Sequence, residues 1–408
     1  MRPRSVNDVL NALVVVLAFS VPLYRAWVSL AAVLILLLWF FQDHLKDRVL
    51  RLGHHPMTAA ILVFLALNLL SLLWSEDPSS GFEYWRKYLY LLLIPAIASS
   101  LRPVFARRAF SAFLTSTVLS VAMMPVVIIA DIHIRHIHPG NPAATMSHLD
   151  YSLILAVAGL LILVHLVHTT MRRRQRVLWI MLFLVALGGL LLNIGRSGQF
   201  AFAASLIFLV PFLLRRRSWQ VRAAVLVVVG FAVVSTYLAI PRFQERVSSG
   251  AEEIFNAVID DRIVGNQGKR IAGMIVGVDM VRSHPVLGTG IGGNMPEFRR
   301  LLDSDYPQFR DAVGWFPHFH NQYLQVATEL GLLGLFSLLA IFAALFAGRY
   351  RSPEFQSAAV AIGCVYLFGF FGDPFLHKQL PLVLFALAAG IISSDDEVFA
   401  EEEVGIKS

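Results

Sequence analysis

Few residues in this chain are equipped for chemistry, and most of them are histidines and arginines. His318 and His320 close a long polar stretch, directly before Asn321, Gln322, Tyr323 and a long apolar run. A histidine near pH 7 serves as a general base, so His320 is the candidate for taking a proton from a hydroxyl. The competing reading of His320 is an interfacial histidine that merely caps the next helix. His318, Asn321 and Tyr323 are candidates for holding a substrate beside it. A zinc site needs three or four convergent ligands; this His-x-His pair has no cysteine or carboxylate next to it in sequence, so no metal is expected.

The cations stand elsewhere. Arg196 sits in a turn of a few residues, Asn193 to Gln199, between two apolar runs. Its planar fork suits phosphate oxygens, against the plainer reading of a headgroup anchor. Arg86 and Lys87 lie just inside the end of another apolar run, where adjacent cations are costly unless they face protein, water or an anion. Contact with the phosphate of a lipid carrier and snorkelling beside Glu83 are evenly matched there.

The elements that must position these residues are membrane helices. The 408 residues are 57% hydrophobic and 15% charged, with a mean hydropathy of +0.67, too apolar for a soluble surface. Runs of roughly 18 or more apolar residues number about twelve, near 8–24, 27–41, 57–75, 82–100, 109–131, 149–168, 177–194, 198–214, 221–240, 322–347, 356–372 and 379–394. The expected fold is an all-α polytopic membrane protein. Residues 1–240 would form helices one to nine and 321–394 helices ten to twelve, with 241–320 a mostly helical external domain and 395–408 an acidic, solvated tail. Lys and Arg gather in alternate loops, among them Arg172 to Arg176 and Arg215 to Arg222. That bias puts both termini in the cytoplasm and 241–320 outside. The net charge of +7 is thus a topology signal; the basic runs are short, separate loops, and no nucleic-acid partner is expected. The first apolar run lacks a small-residue cleavage site and reads as a retained helix.

Other suggestive residues have plainer readings. His133, Arg135, His136 and His138 read as a solvated or interfacial loop in preference to a metal site. Gly288, Gly290, Gly292 and Gly293 lack the strand–turn–helix of a dinucleotide site and read as a flexible or tightly turned loop. The single cysteine, Cys364, reads as a small packing residue.

If one helix runs from Asn321 to Gly348, Gly331 and Gly334 fall near the face of His320, where they let another helix approach. Glu329 projects to the opposite face and suits a buried hydrogen-bonding role. The spacing His320-Asn321, nine residues, Gly331, two residues, Gly334 resembles the motif of the bacterial O-antigen ligases. The turn Arg196-Ser197-Gly198, and Arg270 opening the helix before Ser283-His284-Pro285, resemble that family's two external arginines. Leu335 departs from its usual Thr or Val. The resemblance covers roughly residues 190–340. It implies a GT-C-like glycosyltransferase of the bacterial inner membrane with its active site facing the periplasm. Its donor would be a glycan on undecaprenyl diphosphate and its acceptor a hydroxyl of the lipid A core, in lipopolysaccharide biosynthesis. No metal, cofactor or nucleotide sugar is implied. His320 would be the base, Arg196 and Arg270 would hold the diphosphate, and Arg86 and Lys87 would assist. An O-antigen polymerase extending carrier-linked glycan is the alternative enzyme. A lipid or solute transporter is the alternative class, disfavoured because the polar groups gather at one rim and no repeat is visible. The only other expected partners are membrane lipids, and the expected state is a monomer.

Overall fold

The computed structural model describes residues 5–134, 137–143, 146–239, 241–259 and 262–397. Among these the chain is helical, and β pairing is confined to isolated bridges such as Ile134 to Ile137. An apolar chain that must satisfy its own backbone hydrogen bonds within lipid arrives at this class directly.

Among the described residues five helices are long and apolar enough to cross a membrane: Pro103–Ile129, His148–His168, Arg173–Leu192, Arg196–Leu213 and Gln322–Ala347. Leu45–His54 and Pro56–Ser71, bent by 86°, make a sixth if they form one span. The polytopic class stands, while the expected twelve straight spans are not all present. The expected spans near 8–24, 27–41 and 379–394 are helices of only 15 residues. The run 82–100 is divided among Pro78–Tyr88, a 3-10 turn at Leu89–Leu92 and Leu93–Ala98. Hydropathy counts apolar residues whether or not one helix carries them, so a run of that length need not be one straight helix.

Helix His148–His168 is the axis of the main core. Leu153 through Ala158 on it are fully buried, and it packs against Arg173–Leu192, Arg196–Leu213 and Pro353–Gly369. Close approach comes from the turn at 193–199. A Cβ on Gly195 would lie 2.6 Å from the Ser152 hydroxyl, and the Gly198 N–H donates to that oxygen at 3.2 Å. The turn is thereby seated on the first turns of the central helix.

The 241–320 segment is mostly helical, with helices Pro241–Ile259, Gly265–Ser283 and Asn294–Ser304. It has a small core of its own, separate from the main one, in which Val276, Met280, Phe298, Val313, Phe316 and Phe319 are buried. Two expectations about glycines change here. Gly331 does not continue a helix: its φ of 62° and ψ of −160° break Gln322–Ala347 into two pieces. The partner that comes close is the glycine loop, which inserts into the break. Thr289 and Gly290 N–H groups donate to the Thr328 and Glu329 carbonyls at 2.9 Å each, and the Leu332 N–H donates to the Pro285 carbonyl at 2.8 Å. The glycine loop is a wedge, not a flexible linker, and no second helix uses Gly331. On its other side Ser75 donates to the Ile291 carbonyl at 2.7 Å.

The acidic tail begins later than expected. Asp396 is buried and accepts from the Arg349 N–H at 3.0 Å, and Asp395 accepts from the Ser352 N–H at 2.7 Å. Residues 398–408 lie outside the described residues, as do Arg135 and His136 of the histidine loop. In that loop the His133 and His138 rings stack at 6.4 Å.

Candidate active site

His320 is held from both sides by its neighbours. Phe319 is fully buried against Phe298 in the small core, with ring centroids 5.2 Å apart. Asn321 caps the following helix, its side-chain oxygen accepting from the Leu324 N–H at 3.0 Å. Between them His320 takes φ 52°, a left-handed backbone that a non-glycine residue rarely adopts. Strain of this kind costs on the order of 1–3 kcal/mol and persists where surrounding structure imposes it. The cap is therefore Asn321, and His320 is left for another task.

That task is set by Asp373. Its Oδ1 lies 3.1 Å from His320 Nδ1. A carboxylate only accepts, so Nδ1 carries the proton and Nε2 carries the lone pair of a base. Asp373 reaches His320 because Gln322 stitches the two segments together. The Gln322 N–H donates to the Phe370 carbonyl at 2.9 Å, and its side-chain oxygen accepts from the Leu376 N–H at 2.8 Å. Asp373 is fully buried, and its second oxygen is ion-paired to the Lys378 ammonium. Lys378 also faces Asp150 at 3.5 Å. Burial opposes ionisation of Asp373, but the His320 hydrogen bond and Lys378 outweigh it and hold its pKa well below the usual carboxylate range. Burial likewise works against a charged Lys378, and the two carboxylates overcome it and raise its pKa. Burial pushes His318 down to about 3, so it is neutral. His318 Nδ1 accepts from the His320 N–H at 3.3 Å, and its ring stands edge-on to His320 at 4.4 Å.

The arginines converge on this group. Arg270, whose pKa burial lowers, lies within electrostatic reach of both Asp373 and Arg196. The Arg196 guanidinium lies beside Gly250, where a Cβ would approach it to 2.9 Å. Of the expected residues, His318 stands against His320, Arg270 shares with it the field of Asp373, and Arg196 is felt by Arg270. Asp373, Lys378, Asp150 and His148 belong to the same group and carried no local signal. Each stands alone in sequence, and Lys378 stood out only as a cation in a cation-poor loop.

Other expected contacts fall elsewhere. The Tyr323 hydroxyl donates to the Leu367 carbonyl at 2.6 Å and its ring packs on Phe370 and Phe371, so it fastens two helices. Asn321 is engaged as a cap. Lys87 stands over the Tyr84 ring at 4.7 Å, and Arg86 is exposed; no described contact joins either to His320. Tyr84 in turn packs on His377 at 4.9 Å. Glu329 is fully buried, accepts from Gln325 at 2.7 Å and faces His377 at 3.4 Å. It has the buried hydrogen-bonding role expected of it, away from His320.

The carboxylate missing next to the His-x-His pair in sequence is supplied in space. His318, His320 and Asp373 each offer a ligand atom, all within 4.8 Å of one another. Their present partners argue against a dication. Both Asp373 oxygens are engaged, and Lys378, Arg196 and Arg270 already outnumber Asp373 and Asp150. A further two positive charges would enter a group that is already cationic.

Fold and site together define a polytopic helical membrane protein in which a histidine is bonded to a buried carboxylate that is shared with a lysine and felt by an arginine. Residues 181–339 match the family model described as O-antigen ligase. The matched segment, less than half of the chain, is similar to that family. It contains Arg196, Arg270, His318 and His320, whereas Asp150, Asp373 and Lys378 lie outside it. No curated protein matches the chain.

Proposed function

We propose that this chain is an O-antigen ligase of the bacterial inner membrane, transferring a glycan from undecaprenyl diphosphate to a hydroxyl of the lipid A core. The observation that carries the reading is the 3.1 Å bond between His320 Nδ1 and buried Asp373, which fixes the basic tautomer of the imidazole. His320 Nε2 takes the acceptor hydroxyl's proton as its oxygen attacks the anomeric carbon. The bond from that carbon to the phosphate oxygen breaks, and its electron pair leaves with the diphosphate. Arg196 and Arg270 bind that anion and stabilise the charge it gains. Backside attack inverts the anomeric centre. The diphosphate is the leaving group, so no metal or external energy source is needed on the periplasmic side.

The test combines purified protein, lipid-linked glycan and lipopolysaccharide core. His320→Ala is expected to keep its fold and lose transfer by roughly 10³-fold. Arg196→Ala and Arg270→Ala should each lose roughly 10²-fold, with partial recovery on Lys. EDTA should leave activity intact. Undiminished transfer by His320→Ala overturns the base assignment; longer carrier-linked glycan without product on the core indicates a polymerase.

A further inference from the structure

A cavity of about 740 Å³ opens at the far end of the central helix from His320. It lies among helices Pro103–Ile129, His148–His168, Arg173–Leu192, Pro353–Gly369 and Gln379–Ser393. From His148, beside Lys378, to His168 on its wall, the helix rises about 30 Å, the thickness of a bilayer's hydrocarbon core. The cavity therefore stands at the opposite membrane interface and takes no part in the chemistry described above.

Its lining is mixed. Phe110, Leu161, Trp179 and Leu387 are among its apolar lining residues, and Arg107 and Arg351 line it as well. The carboxylates there are already engaged. Glu354 is bonded to His165 Nδ1 at 2.6 Å, and Asp395 accepts from the Ser352 N–H at 2.7 Å with Arg351 3.8 Å away. One wall, Arg173–Leu192, is only 17% buried along its apolar window, so it borders lipid. A soluble anion has no use for the aromatic and aliphatic walls, and a neutral lipid has none for the arginines. The volume suits a molecule of drug size, well beyond a single phosphate.

We propose that this cavity binds an anionic glycerophospholipid of the adjoining leaflet. The headgroup phosphate would lie against Arg107 and Arg351, and the acyl chains would run between Phe110, Trp179 and Leu387. This site is independent of the transfer reaction and of its assignment.

The protein in non-ionic detergent would be titrated with phosphatidylglycerol carrying brominated acyl chains, with brominated phosphatidylcholine, and with inorganic phosphate. Quenching of tryptophan fluorescence, and its loss in Trp179→Phe, reports occupancy. Phosphatidylglycerol is expected to bind at least tenfold more tightly than phosphatidylcholine. The double variant Arg107→Gln and Arg351→Gln should lose at least tenfold in that affinity, and His320→Ala none. Ala388→Phe, which fills the apolar part and leaves both arginines, should abolish quenching. Equal binding of phosphatidylcholine, or unchanged binding by either cavity variant, overturns the proposal. Displacement of the lipid by millimolar inorganic phosphate overturns it too and indicates a free-anion site.

Discussion

A histidine–carboxylate pair stands near each end of helix His148–His168, and the two pairs have different companions. His320 meets Asp373 at 3.1 Å, and His165 meets Glu354 at 2.6 Å. The histidines are equally exposed at 19%, but Asp373 is 0% exposed and Glu354 36%. Contact distance alone would rank the second pair first. Burial and neighbours reverse that order. Asp373 is shielded from water, shared with Lys378, and within reach of Arg270, so its charge is fixed in place and His320 is fixed with it. Glu354 is partly solvated in the first turn of its helix, on the wall of an amphipathic cavity. A His–carboxylate pair becomes a base when its carboxylate is immobile and anion-binding groups stand near; otherwise it is wall material.

The sharpest way to break this comparison is Asp373→Asn. Removing a buried charge leaves Lys378 and Arg270 without their main partner, at a cost on the order of 3 kcal/mol, and releases the His320 tautomer. Transfer should fall by roughly 10²-fold as kcat, with substrate affinity little changed. Activity near wild type in a folded variant would remove Asp373 from the site. Next in size is Gly331→Ala. It places a side chain at φ 62° and against the Val286 backbone, so the glycine wedge cannot seat. A loss of about 1–3 kcal/mol in thermal unfolding is expected, with transfer weakened because the wedge holds the half-helix that begins beside His320. Gly188→Ala, with open space around it, is the matched control.

Smaller still is Glu354→Gln. The same chemical change at the other pair should cost no more than about 1 kcal/mol, because a carboxylate more than a third exposed is screened by water. A cost equal to that of Asp373→Asn would erase the distinction drawn here. The last effect is a pH effect. The folded pKa of His318, about 3, lies below its unfolded value, so the unfolded chain binds the proton first as pH falls. Stability from this residue is present above roughly pH 6.5 and is lost progressively down to about pH 3. His318→Gln should therefore show a smaller fall in unfolding temperature between pH 7 and pH 4.5 than the parent protein.

Much of the molecule was legible in one dimension because its signals are local. Apolar composition selected membrane helices, since lipid leaves the backbone no other solution. His320 and Arg196 were singled out by a spaced motif and a short turn, and Arg270 by the family resemblance alone. The errors were local signals carried too far. A 100° projection assumed an unbroken helix through Gly331, and apolar runs were counted as straight spans. Tyr323 and Asn321 lie in the motif, but nearness in sequence did not reveal that their polar atoms serve packing and capping.

What the sequence by itself determined was the class of fold and the residues proposed for the site, His320, Arg196 and Arg270. Only the tertiary structure supplied Asp373, 53 residues beyond His320, and with it Lys378 and Asp150. Their convergence depends on Gln322 joining the turn after Pro353–Gly369 to the head of the motif helix. It also decided that Gly331 is a break filled by a loop, because a φ of 62° is a property of packed backbone and not of residue spacing. A single charged residue in a loop has no periodicity to betray it; only folding brings it to the histidine it fixes.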